Sequence, residues 1–369
     1  MKQRKKVHIL IDNASRLDFF QRVLNNENTT PSCVFHSNIY TYVLAKTKKH
    51  PGSHILLRQS KVKKKTAQSS IEEIKGQREY QYGINISNFK KLVEPSDELW
   101  VFSGFQFVAL EIKTTHHNIR YFEIANFPNK YQSSYTGVNA DADHNHKIEE
   151  LRTTHTVTPR EIELLKTQLL TFRPPHVDSS ILSKALEQFV NLIGFHCLKT
   201  TAPHSSPLQQ LQKAIEIHRV RKIIHNHKHL QRPSNFNLFI GQVAQDSQTL
   251  FQSNTNAIDS IKKAHQDSES KGLPLIVRLH PGEKQLCVIQ EQTRFCKQEG
   301  ILICNQGALL ESVLQSEHIY TINSTGGLHS LLLEKPVTLY GNSFYQNWKA
   351  SDVVLYHKHL LQELHSPNS

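Results

Sequence analysis

Short apolar runs separated by segments of helical period dominate the second half of the chain. NLFIGQV (237–243), LPLIVRL (273–279), ILIC (301–304), HIYTIN (318–323) and PVTLYG (336–341) are aliphatic and β-branched, and read as buried strands. Between them, IDSIKKAHQDS, KQLCVIQEQTRFCKQ, ALLESVLQS and GLHSLLLEK set apolar residues three and four apart, as a helix face does. Strand and helix alternating over about 110 residues predict a parallel sheet wrapped by helices, a Rossmann-like lobe. The first half opens the same way: VHILID (7–12), a polar Asn13-Ala14-Ser15 turn and the amphipathic RLDFFQRVLNN. ELWVFSG (98–104), a helix over FQFVALEIKT (105–114) and IRYFEIA (119–125) repeat the pattern. From 145 to 231 the period is mainly helical, including PREIELLKTQLLTF and ILSKALEQFVNLIGF, with turns at Pro174-Pro175 and Pro203.

This pattern predicts an α/β protein of two Rossmann-like lobes with a cleft between them. The boundary is expected near Arg232-Pro233, giving lobes 1–232 and 233–345, with residues 346–369 returning to the first lobe. A length of 369 residues suits two domains. The stretch Lys61 to Ser70 is expected to be a mobile loop.

Composition then narrows the partners. The 44 basic residues against 32 acidic ones leave a net charge of +12, which favours an anionic partner: nucleic acid, an anionic lipid surface or a negatively charged substrate. The densest basic run is KVKKK (61–65), followed by Arg219, Arg221, Lys222, Lys228 and Arg232. Neither run interleaves aromatic residues with its cations, so no nucleic-acid partner is expected. No apolar run reaches the roughly 18 residues of a membrane span, and the basic start leads into a core too short for a signal peptide, so the chain is expected in the cytoplasm. Five cysteines without a C-x-x-C pair predict free thiols.

In a parallel α/β sheet, ligands bind beyond the carboxyl ends of the strands. That edge is predicted to present Asp246, Ser247 and Gln248 after the first strand of the second lobe, His280 after the second, and Asn323-Ser324-Thr325-Gly326-Gly327 after the fourth. The NSTGG knot has three local readings: a phosphate cradle, a turn capped by Ser or Thr, and a nucleophile. The nucleophile is disfavoured, because no positioned base or G-x-S-x-G elbow accompanies it. Walker and G-x-G-x-x-G fingerprints are also absent. Pro281 holds His280 extended where its strand stops, and Arg278 is expected on the same face. Two carboxylates remain, Asp246 and, in the first lobe, Glu123, each an ordinary cap or half of a nucleophile and acid/base pair. The histidine tracts HNHKH (225–229) and DHNHK (143–147) lack a partner cluster, so no metal is expected there.

With those residues located, the chain resembles the capsule polysaccharide biosynthesis family of bacterial glycosyltransferases, which transfer β-linked Kdo, an acidic keto sugar, from CMP-Kdo. The segments that carry the resemblance are FEIANFPNKYQSSYTGVNA (122–140), LFIGQVAQDSQ, VRLHPGE and TINSTGGLHSLLLEKPVTLYGNSFY, in family order from 122 to 345. The resemblance implies a GT-B-like architecture and retention through a covalent intermediate. It makes Asp246 the nucleophile, Glu123 the acid/base for the acceptor hydroxyl and His280 the group that binds or protonates the departing CMP phosphate. Ser324, Thr325, Gly326 and Asn323 would hold that phosphate. Asn126, Lys130, Gln248 and Arg278 are assigned as further substrate contacts.

The resemblance also implies a metal-independent reaction without a cofactor, and it overrides the metal-nucleotide reading of Asp141-Ala142-Asp143. The implied partners are the CMP-Kdo donor, a glycan or glycolipid acceptor, and an anionic membrane touched peripherally on the cytoplasmic face. The His-Pro and Ser/Thr motifs occur also in bacterial CMP-sialic acid transferases, which makes one rival. A non-catalytic basic scaffold or nucleic-acid binder is the other.

Overall fold

The computed structural model describes residues 6–11, 13–26, 32–57, 89, 91–104, 113, 116–172, 181–198, 200, 207–227, 233–244 and 246–364. The run Lys61 to Lys65, the loop expected to Ser70, the turns at Pro174-Pro175 and Pro203, and Lys228 and Arg232 lie outside them, as does all but Lys113 of the helix expected over 105–114.

Twelve strands are described: β1 Lys6–Ile11, β2 Ser32–Ser37, β3 Ser53–Leu56, β4 Glu98–Phe102, β5 Ile119–Ile124, β6 Lys130–Ser134, β7 Asn237–Ile240, β8 Leu275–Arg278, β9 Leu302–Ile303, β10 Ile319–Thr321, β11 Val337–Leu339 and β12 Gln362–Glu363. Two sheets result. The first has the order β12-β6-β5-β4-β1-β2-β3 and the second β11-β10-β7-β8-β9. Apart from β6 and β12, every pairing is parallel. In each sheet the first strand of the run lies centrally, with the next two strands on one side and the following two on the other. That is the doubly wound Rossmann order, and it places a topological switch point between β1 and β4 in one sheet and between β7 and β10 in the other.

Contacts group the chain into two units. The first is Met1–Val138, Arg173–His204 and Leu361–Ser369; the second is Asn139–Phe172 and Ser205–Leu360. This differs from a single cut near Arg232-Pro233, and side-chain chemistry explains the difference. Arg152, on the helix His144–Thr154, makes a two-pronged ion pair with Asp352 at 2.8 Å for each bond, and Trp348 Nε1 donates to Asn145 at 2.7 Å. The helix Pro159–Thr171 starts with a capping box between Thr158 and Glu161, and Lys358 pairs with Glu161. Of the C-terminal stretch, the helix Ala350–Leu355 stays with the second unit. The residues from Leu361 join the first, where β12 pairs antiparallel with β6 and Arg22 donates to the Leu364 carbonyl at 2.7 Å.

The apolar pattern becomes burial directly. In β7, Leu238 and Ile240 face one cluster with Ile276, Ile319 and Val313, whereas Phe239 faces another with Val277, Tyr320 and Ile289. Both faces of that sheet are covered, as a parallel sheet between helices requires. In the first unit Phe20 packs edge-on against Phe122, with Trp100 and Tyr131 in the same core.

Candidate functional site

The carboxyl edge of the second sheet is built by buried polar side chains that tie each strand exit to the next. At β7, Gly241 is fixed by space: a Cβ there would stand 2.7 Å from the Arg278 carbonyl and 3.1 Å from the His280 nitrogen, so only glycine lets β7 leave beside β8. Gln242, buried, donates to Asn323 Oδ1 at 2.6 Å and accepts from the Asn323 N–H at 3.1 Å. Asn323 then donates to the carbonyls of Gln248 and Asn342, at 3.0 and 3.1 Å. Asn305 joins β8 to β9, accepting from the Leu279 N–H at 3.2 Å and donating to the Leu279 carbonyl at 2.8 Å. A polar edge cross-linked in this way holds its geometry before any ligand arrives.

Asp246 stands on the loop after β7, as expected. It is the N-cap of the short helix Ser247–Gln252, and its carboxylate accepts from the Gln248 N–H at 3.2 Å. The Gln248 side chain donates to Asn139 at 2.6 Å. Asn139, at φ +56°, is the asparagine of the G-V-N stretch, so two segments of the resemblance meet within the second unit.

His280 follows β8. Burial lowers its pKa, and the charges of Asp246 and Glu283 work in the opposite direction, which places the Asp246 carboxylate within electrostatic reach of the ring. The Gly282 N–H donates to His280 Nδ1 at 3.0 Å. An acceptor at Nδ1 puts the neutral ring's hydrogen on Nε2, so His280 presents a donor rather than a base there.

Ser324 caps the helix Thr325–Leu332, its Oγ accepting from the Gly326 N–H at 3.2 Å. Its carbonyl receives the Gly327 N–H at 2.8 Å and the hydroxyl of fully buried Tyr345. The two glycines are also required by packing. A Cβ on Gly326 would meet Ile240 at 3.0 Å, and one on Gly327 would meet the Tyr345 hydroxyl at 2.6 Å. They admit the helix to the sheet.

Other expected residues also make contacts within the protein. Arg278 donates to the Gln306 carbonyl and Ser312 Oγ, both at 2.9 Å, and to the Gly307 carbonyl at 2.5 Å, bracing the loop after β9. Asn323 is 2% exposed and acts as a brace. Glu123, Asn126 and Lys130 belong to the first unit. Glu123, on β5, accepts from Gln132 on β6 at 3.2 Å. Asn126 sits half-buried in the turn between those strands, and Lys130 pairs with Glu363 at 2.5 Å, tethering β12.

The histidine tract at 143–147 is likewise spent. Asp143 pairs with Lys147 at 2.9 Å, His146 with Glu150 at 3.3 Å, and His144 packs against the rings of Phe344 and Tyr356. Among the described residues no group of three or more His, Cys, Asp or Glu could hold a metal ion, and no helix is long and apolar enough to cross a membrane. All five cysteines are free.

The residues that sequence reasoning missed are Glu283, Gln242 and Asn305. Each is a buried polar side chain two to five residues beyond a strand end, and that placement was the available signal.

Sheet order and site together define an α/β protein whose polar residues converge at the switch point of a doubly wound sheet. Residues 180–360 match the family model described as "Capsule polysaccharide biosynthesis protein". Comparison with curated proteins returned no match. Among solved structures, the beta Kdo 2,7 transferase of Thermosulfurimonas dismutans KpsC aligns at 12% identity and TM-score 0.47, covering 97% of this chain and 92% of that one. The beta Kdo 2,4 transferase of the same KpsC aligns at 14% identity and TM-score 0.39, covering 72% and 80%. A Methanocaldococcus jannaschii UDP-GlcNAc 2-epimerase aligns at 14% identity and TM-score 0.28, covering 90% and 83%.

Proposed function

We propose that the protein is a retaining glycosyltransferase that moves β-Kdo from CMP-Kdo to a glycan or glycolipid acceptor in capsule synthesis. One observation carries the reading. The loop bearing Asp246 and the cap bearing Ser324 leave adjacent parallel strands, β7 and β10, on the two sides of the switch point, with His280 on the next strand over. Such a crevice is where doubly wound sheets take nucleotides.

In the proposed reaction, an Asp246 carboxylate oxygen attacks the anomeric carbon. The bond from that carbon to the CMP phosphate oxygen breaks, and CMP leaves with the electron pair. The neutral ring of His280 donates from Nε2 to the departing phosphate, and the Ser324 hydroxyl and the Thr325 end of its helix bind the same group. An acceptor hydroxyl then attacks the anomeric carbon, Asp246 leaves as carboxylate, and Glu123 takes the hydroxyl proton. Two inversions give retention. We assign Gln248 and Asn323 to shaping the crevice and leave the family's acidic-sugar donor as the substrate class.

Asp246→Asn tests the reading, because asparagine caps a helix as well as aspartate does and spares the fold. The variant should bind CMP with wild-type affinity and lose transfer from CMP-Kdo by about a thousandfold or more. Transfer at the wild-type rate would sink the nucleophile assignment, and wild-type turnover of CMP-sialic acid alone would move the donor to that sugar.

A further inference from the structure

Glu283 lies just beyond the His-Pro pair, is 2% exposed, and has no cation paired to it among the ion pairs of the described residues. A buried carboxylate of this kind requires hydrogen-bond donors. It has three, all backbone. Oε2 accepts from the Ala244 N–H at 2.8 Å, and Oε1 accepts from the N–H groups of Lys284 at 2.7 Å and Gln285 at 2.9 Å. Ala244 belongs to the loop that carries Asp246 two residues later, and Lys284 and Gln285 follow the loop that carries His280. The Glu283 N–H in turn donates to the His280 carbonyl at 3.1 Å.

We propose that Glu283 is a positioning residue: its carboxylate clamps the loop after β7 to the loop after β8 and so sets where Asp246 stands relative to His280. Resting on the transfer chemistry assigned above, the proposal adds a residue that touches no substrate. The clamp needs two acceptor oxygens, one for each loop. Glutamine of the same shape supplies one acceptor oxygen, which the two amides of Lys284 and Gln285 claim, and turns its N–H₂ toward the Ala244 N–H, so it breaks the side that holds the loop after β7. Aspartate keeps the charge and shortens the arm.

The test uses the full chain without donor, then with it. In Glu283→Gln the Ala244 amide should exchange with deuterium up to about tenfold faster, the loss of one backbone hydrogen bond. The His280 titration midpoint, followed by NMR and assigned by its loss in His280→Gln, should fall, because one of the two anions that raise it is gone. With CMP-Kdo, kcat should fall while the donor KM stays near wild type, since ground-state contacts are kept and the reacting geometry is not.

Glu283→Asp serves if the glutamine variant fails to fold: it should lose the Ala244 protection yet hold the His280 midpoint near the wild-type value. Wild-type exchange at Ala244 in either folded variant would overturn the clamp, and an unmoved His280 midpoint in Glu283→Gln would overturn the link to the site. The exchange and titration are read without any donor. Failure of the wild type to use CMP-Kdo would therefore remove the transferase reading and leave the clamp measured on its own.

Discussion

Gly327 and Tyr345 give the sharpest check on the helix cap that we assign to phosphate binding. In Gly327→Ala the new methyl would stand 2.6 Å from the Tyr345 hydroxyl, 3.0 Å from Thr321 Cγ2 and 3.3 Å from Tyr345 Cζ. The Tyr345 ring is wholly buried and packs edge-on against Phe344, so it has little room to yield. Overpacking of this kind costs about 1–3 kcal/mol, and replacing glycine by alanine inside a helix returns up to about 1 kcal/mol, leaving a net loss of about 1–2 kcal/mol. Tyr345→Phe removes the hydroxyl that donates to the Ser324 carbonyl, which keeps the Gly327 N–H at 2.8 Å, so no buried acceptor is orphaned. That change should cost about 0.5–1.5 kcal/mol.

The double variant deletes the atom with which the new methyl collides. It should therefore be about 1 kcal/mol more stable than the two single losses added together. The assay is urea unfolding followed by fluorescence, with Trp348 reporting the second unit and Trp100 the first. Both single variants should also bind CMP more weakly, because the cap of the helix moves. Additivity within about 0.3 kcal/mol would refute the packing on which the account of the two glycines rests.

Two further outcomes follow from buried charge. Burial lowers the pKa of His36 to about 3 and that of His144 to about 4. The unfolded chain binds these protons first, so the stability they carry is complete above the ordinary histidine pKa near 6.5 and drains as pH falls toward 3–4. Thermal unfolding midpoints should decline below about pH 6.5, and His36→Leu should flatten that decline; a flat wild-type profile would contradict it. Arg152→Ala should cost about 1–3 kcal/mol in urea unfolding, the half-exposed arginine leaving the buried Asp352 with the Lys349 N–H, and Arg152→Lys should recover only part of the loss.

Much of the fold was legible because each strand of the second sheet is a compact apolar run and each intervening helix keeps one apolar face. The strands left out of the reading fail that pattern for physical reasons. SCVFHS of β2 hides His36 and Ser37 in the core, KYQSS of β6 is polar, and β12 is two residues at a sheet edge. A local pattern does not announce a strand that partners stabilise.

The unit boundary was illegible for a similar reason. Residues 139–172 join the second unit through the Arg152–Asp352 and Asn145–Trp348 pairs, which span about 200 positions and leave no local trace. In the site, Asp246, His280 and Ser324 were readable because each ends a recognisable strand. Glu283 and Asn323 act as braces, and the direction a glycine's missing Cβ would take is fixed only by the packed helix.

The most direct test of the central claim is the intact mass of the protein after incubation with CMP-Kdo without acceptor, followed by peptide mapping. The account predicts a species heavier by one Kdo residue, with the sugar on Asp246, and no such species in Asp246→Asn. Consumption of the donor and transfer to an acceptor by the wild type with no adduct, or with an adduct on another residue, would contradict it.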